Sequence, residues 1–95
     1  MRSVAFAFAA IGVLIAGPSH GACTKPETPS CAIANGPFPR GADYDECRRQ
    51  MIAYKAEMER LAACLKDDGQ SEAERQSVDE LESALSQFNR RARGE

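Results

Sequence analysis

Four cysteines in a chain of 95 residues constrain this fold more than any other feature. They stand at Cys23, Cys31, Cys47 and Cys64, a C-x7-C-x15-C-x16-C pattern. No C-x2-C knuckle or redox pair occurs, and the single histidine, His20, lies outside the pattern. Zinc ligation and thioredoxin-like chemistry are therefore disfavoured, and two disulfides are expected. Four cysteines allow three pairings.

The stretch Asp43–Lys66 eliminates one of them. Tyr44, Cys47, Met51, Tyr54, Met58, Leu61 and Leu65 recur at alternating steps of three and four, which is one stripe of a helix. Asp43 and Glu46 read as a capping box at its start, and Gly69 as the left-handed residue that closes it. Cys47 and Cys64 are then 17 residues apart on one helix, about 25 Å, whereas a disulfide needs Cα atoms within about 7 Å. That excludes Cys47–Cys64, and Cys23–Cys31 with it. Cys23 and Cys31 are separated by Pro26 and Pro29, whose preferred extended path also covers about 25 Å in eight steps. Two schemes survive. The nested one, Cys23–Cys64 with Cys31–Cys47, lets residues 22–42 run antiparallel to the helix. The crossed one, Cys23–Cys47 with Cys31–Cys64, makes residues 32–42 stretch back along its whole length. Loop geometry favours the nested scheme.

A second helix is expected from about Ser71 to Arg93, opened by a capping box at Ser71 and Glu74. Its apolar residues are Val78, Leu81, Leu85, Phe88 and Ala92. The short link between the helices predicts an antiparallel hairpin. Pairing outward from the turn sets Leu65 on Val78, Leu61 on Leu81, Met58 on Leu85 and Tyr54 on Phe88. The second stripe then runs out opposite Met51, leaving Tyr44 and Cys47 to be covered by Ile33 and Phe38. The fold class expected is thus all-α: a helical hairpin of residues 43–95 with a Pro/Gly-rich arm, 22–42, stapled to the first helix. Asn35-Gly36-Pro37 reads as a turn in that arm.

Residues 1–21 read as a signal peptide. Arg2 supplies the positive start, Val4–Ala16 is an apolar run of 13 residues, and Pro18, Ser19 and Gly21 precede a cleavage site before Ala22. The run is short of the about 20 apolar residues a membrane-spanning helix needs. Cleavage after Ala22 competes, although it sets His20 at the third position back. Gly21-Ala22-Cys23 also resembles the end of a lipobox, with acylation of Cys23 as the alternative fate. His20 stands there in place of the usual aliphatic residue, and acylation would leave three cysteines unpaired among themselves.

Export removes His20 and Arg2. From the 12 Lys+Arg of the whole chain, 11 remain against 14 Asp+Glu, a net charge of about −3. That balance disfavours nucleic acid as a partner. The carboxylates lie off the apolar stripes beside Arg48, Arg49, Lys55 and Arg60, as on a solvated helix face. Asp67–Glu72 lacks the ligand spacing of a calcium loop. Met51, Tyr54 and Met58 read as core more readily than as an adaptable groove. Two features stand out for binding. Arg90, Arg91 and Arg93 concentrate charge at the end of the second helix, where they cap it or grip an anionic partner or lipid surface. Phe38, between Pro37 and Pro39, is either a plug over the helix core or a recognition residue.

The run C-x2-P-x2-P-x-C, then DYDECR, a tyrosine- and methionine-bearing helix, and FNRRARG resembles small exported cysteine-bearing proteins of Gram-negative bacteria. The resemblance implies a periplasmic address and carries no activity. The chain also resembles the coiled-coil–helix small proteins, but those place a cysteine pair on each helix and the second helix here has none. The function expected is non-enzymatic, without metal or cofactor: a protein-binding or assembly module of the cell envelope with an unidentified protein partner. A periplasmic stress chaperone or inhibitor, or an accessory subunit of an exported enzyme, is the alternative.

Overall fold

A proline at residue 29 starts the first helical turn, because its ring sets φ to −58° just ahead of Ser30. The computed structural model of the protein describes residues 23–95. The expected signal peptide, His20 and the cleavage site at Ala22 lie outside the described residues. Within them the regular structure is entirely helical: α1 (Ser30–Ile33), α2 (Gly41–Asp67) and α3 (Ser71–Ala92). None of these helices is long and apolar enough to cross a membrane. Both disulfides of the nested scheme are present, Cys23–Cys64 with Cα atoms 5.5 Å apart and Cys31–Cys47 at 5.9 Å. Taken singly, loops of 41 and 16 residues correspond to about 4 and about 3 kcal/mol in the chain-entropy model.

α2 buries Cys47, Met51, Tyr54, Met58 and Leu61, with Tyr44 and Leu65 packed at the edges of the same cluster. Its two ends differ from what the sequence led us to expect. The helix starts two residues before Asp43, with Arg40 in the N-cap position and no side-chain cap. Asp43 instead accepts hydrogen bonds from the Arg40 guanidinium at 3.0 and 3.1 Å, and Glu46 pairs with Arg49 and Gln50. A charged donor three residues away competes successfully for each carboxylate. Ser71 likewise is the first helical residue and not the cap, which is Gln70. At the other end of α2, Gly69 adopts φ +74°. That lets the Gly69 N–H donate to Lys66 O and the Gln70 N–H donate to Leu65 O, closing the helix.

The buried face of α3 is turned from the expected one. Ser77, Ala84 and Phe88 are buried and Leu81 and Leu85 partly so, while Val78 is 39 % exposed. Ala92 is exposed as well. The cause is a second neighbour. α1 packs chiefly against α3 rather than α2, and Thr28 and Ile33 lie beside Ala84. α3 is therefore covered from two sides, and its small residues face the junction. The buried Ser77 hydroxyl donates to Glu74 O at 2.7 Å, so its burial leaves no orphaned donor.

The pairing register is also corrected. The ring of Phe88 stacks on Tyr44 at 5.7 Å, not on Tyr54. Counting equal steps from Asp67 and Ser71 sets Phe88 level with residue 50 of α2. Two long aromatic side chains span the remaining six residues, about 9 Å of helical rise. Phe88 therefore reaches the Tyr44 end from α3, and Phe38 packs there beside it, as expected. Tyr54 turns to the proline-rich segment, where its hydroxyl and Thr28 Oγ1 share a hydrogen bond of 3.1 Å. Ile33 is 47 % exposed and does not cover the Tyr44 end; Ala32, fully buried, is the inward residue of α1.

Candidate functional site

Phe38 leaves the turn at Gly36 and enters the gap between the start of α2 and the end of α3. Its ring meets Tyr44 at 5.6 Å and Phe88 at 5.8 Å, edge to face in both cases. With the Tyr44–Phe88 stack this makes a closed triad of rings. Such edge-to-face pairs contribute about 0.5–1.5 kcal/mol each beyond the area they bury.

Arg91 closes the triad. Its guanidinium carbon lies 4.1 Å from the centre of the Phe38 ring. Nε donates to Gly36 O at 2.7 Å, one terminal nitrogen donates to Cys31 O, and the other donates to Pro37 O at 3.3 Å. The planar fork of arginine is what allows one side chain to serve three carbonyls around a bend. None of these hydrogen-bond partners is a carboxylate; the positive charge of Arg91 is solvated by dipoles and a ring, and it also acts through space on Asp43, adding to the lowering of that carboxyl's pKa.

The three arginines that the sequence groups together have separate roles in the structure. Arg90 lies on the exposed face and donates to Ser86 Oγ at 3.3 Å. Arg93 turns to Glu95, at 3.0 Å, just past the helix end. Only Arg91 reaches into the body. A fourth guanidinium, Arg40, joins this end through its pair with Asp43. Each pair biases its members in the usual sense. The hydrogen bond from Arg40 lowers the pKa of Asp43, and that from Arg93 lowers the pKa of Glu95, while both arginines are raised by their partners. Arg40, Arg91 and Arg93 line a cleft of about 410 Å³, together with Phe38, Gly41 and Tyr44. Arg40 and Tyr44 escape sequence reasoning because nothing local marks them. Arg40 is a lone cation after a proline, and Tyr44 sits in register with the core stripe.

Elsewhere the chemistry is quiet. Cys23, Cys64 and Asp68 form a group with ligand-type atoms within 4.8 Å of one another. The sulfurs there are joined to each other, so neither is a thiolate, and Asp68 Oδ2 at 3.3 Å from Cys23 Sγ is a contact without a proton to share. No cysteine among the described residues is free. A groove of about 530 Å³ brings the exposed Glu27 and Glu57 near Arg60 and Leu61. No family model matches the chain, and no curated protein or solved structure matches it.

Proposed function

We infer that this is a small exported protein of the cell envelope, periplasmic once its residues 1–21 are removed, that binds or assembles with another protein and catalyses nothing. In this reading the mature chain is an antiparallel helical hairpin, and residues 22–42 form an arm, extended except where it turns through α1, stapled to the first helix by the two disulfides. The observation that carries it is the end built by Phe38, Tyr44, Phe88 and Arg91. Arg91 clamps a disulfide-tied loop there, and Arg40 and Arg93 stand exposed on the rims of the same cleft, which is the make-up of a binding surface more than of a reaction centre. The cysteines are committed to disulfides, consistent with an oxidising exported location. Glu46, Glu59 and Glu72 stand on exposed faces in ion pairs of adjacent turns, and Glu80 pairs with Lys25 on the surface.

The test is capture from a cell-envelope extract, with the purified mature protein, both disulfides intact, immobilised as bait. A single saturable partner, recovered by wild type and lost when the protein is reduced and alkylated, is the expected result. Equal recovery by folded and by reduced protein would overturn the reading, because recognition would not depend on the fold.

A further inference from the structure

The cleft at the Phe38 end has a chemistry more specific than general stickiness. Its three guanidinium groups differ in how firmly they are held. Arg91 is held by three backbone carbonyls and the Phe38 ring. Arg40 and Arg93 are hinged on opposite rims, one before α2 and one after α3. Their side chains are 78 % and 58 % exposed, and their present partners, Asp43 and Glu95, are neighbours of two or three residues' separation. Exposed pairs of this kind are worth little and exchange readily for a better anion. Between the rims lies the edge of an aromatic cluster, and Gly41 has open space where a side chain would stand.

The charge pattern of the whole surface favours this end as the anion-binding one. Arg40, Arg48, Arg49, Arg90, Arg91 and Arg93 gather here against Asp43, Asp45, Glu46 and Glu95. The remaining described charges are ten carboxylates against Lys25, Lys55, Arg60, Lys66 and Arg75. An anionic ligand is therefore steered to one end and repelled by the other. The Phe38 and Tyr44 side chains beside the three guanidinium groups suit an anion with apolar substance next to it.

We propose that this cleft is a peptide-recognition site for a carboxylate carried next to an apolar side chain, as at the free C-terminus of a partner protein. Arg40 and Arg93 swing from Asp43 and Glu95 to fork the carboxylate, Arg91 contributes a fixed positive potential, and Phe38 and Tyr44 receive the apolar side chain. The proposal deepens the protein-binding reading above and rests on it.

The experiment titrates the disulfide-intact protein with an acetylated tripeptide ending in phenylalanine with a free carboxylate, and in parallel with its C-terminal amide. Binding is followed by nuclear magnetic resonance shifts of the Arg40, Arg91 and Arg93 side-chain N–H signals. The free acid should bind, the amide should bind about tenfold more weakly, and the double variant R40Q/R93Q should lose a similar factor. Because Arg91 is untouched, that variant should melt like wild type. Raising the salt from about 0.05 to about 0.5 M should weaken the acid and leave the amide unchanged. Equal binding of acid and amide, shifts confined to residues outside the cleft, or no shift at all would overturn the proposal. Binding of anionic phospholipid vesicles in place of the peptide would overturn it in favour of a membrane surface. The same double variant used as bait separates this proposal from the wider one. If wild type and R40Q/R93Q capture the same partner equally, the cleft is not its site and the protein-binding reading stands.

Discussion

Replacing Arg91 tests whether one side chain holds the proline-rich segment and α3 together. Arg91→Ala removes three hydrogen bonds from a charged donor to Cys31, Gly36 and Pro37 and a cation–ring contact of 4.1 Å. A charged hydrogen bond contributes about 1.5–3 kcal/mol and a partly desolvated cation–ring contact about 0.5–2. The gross sum overstates the loss, because the site is half-buried and water can reach the released carbonyls. We expect a net cost of about 2–4 kcal/mol, which for a domain of this size lowers Tm by about 10–25 °C. Arg91→Lys keeps the charge but offers a point donor in place of a fork, so it should recover less than half of the loss. Circular-dichroism melts with both disulfides intact measure the totals. Hydrogen exchange should show faster opening at residues 31–38 and at the end of α3 than at the middle of α2. If Arg91→Ala melts within about 2 °C of wild type, or Arg91→Lys restores it fully, the three-carbonyl clamp does not stabilise this end.

Further substitutions probe the packing. Ala84→Leu should cost about 1–3 kcal/mol by overfilling the junction of α3 with α1 and α2, whereas Val78→Lys should stay within about 0.5 kcal/mol; denaturant melts that reverse this order would restore the face expected from the stripe. Gly69→Ala should cost about 1–2 kcal/mol through the backbone alone, since φ is +74° and a new Cβ meets nothing within 4 Å. Acid should act weakly. The carboxyls of Asp43, Glu46 and Glu95 are lowered by their hydrogen-bonded partners, so their contribution is complete above the ordinary carboxylate range and disappears as pH falls through their depressed values. Glu46 and Glu95 are exposed and Asp43 is in good part solvated, so Tm should fall only slightly on acidification and an apolar dye should not bind; strong dye binding at low pH would favour an acid-activated chaperone instead.

How much of this was legible in the sequence differs between the helices. The α2 stripe was legible because a helix buried along one side repeats its apolar residues at the helical period, and Cys47 to Leu61 do so without exception. The disulfide pairing was partly legible, because a rigid helix acts as a ruler whose length excludes Cys47–Cys64; between the two schemes left, loop geometry favoured the nested one and the structure holds it. α3 was only half legible. A helix with two neighbours buries a junction rather than a stripe, and at a junction close approach selects Ser77 and Ala84, which no hydrophobicity pattern singles out. The cap assignments at Asp43 and Ser71 were misread for a related reason. Capping and ion pairing use the same carboxylates, and local sequence does not say that Arg40 will outbid the backbone. Arg91 was visible only as one of three adjacent charges. Its three acceptors lie 54 to 60 residues away, and nothing local encodes a contact at that distance.

The division of labour between the disulfides and Arg91 follows from where the cysteines are. Both bridges tie residues 23–31 to α2, and α3 carries no cysteine. Covalently, α3 is joined to the rest only through Asp68–Gln70. Among the described residues its other supports are non-covalent, and they include the shared core, the exposed Lys25–Glu80 pair and the Arg91 clamp. The exposed pair contributes little. Arg91 acts at the far end of α3 from the turn, where the lever arm for separating the two helices is longest. It also draws on Cys31, a residue already fixed to α2 by its own disulfide. Through Cys31 the clamp joins α3 to the covalently braced part of the molecule, so losing Arg91 and reducing Cys31–Cys47 should loosen the same end by different routes. The first frees α3 from an intact brace; the second leaves the clamp holding a segment that is no longer anchored.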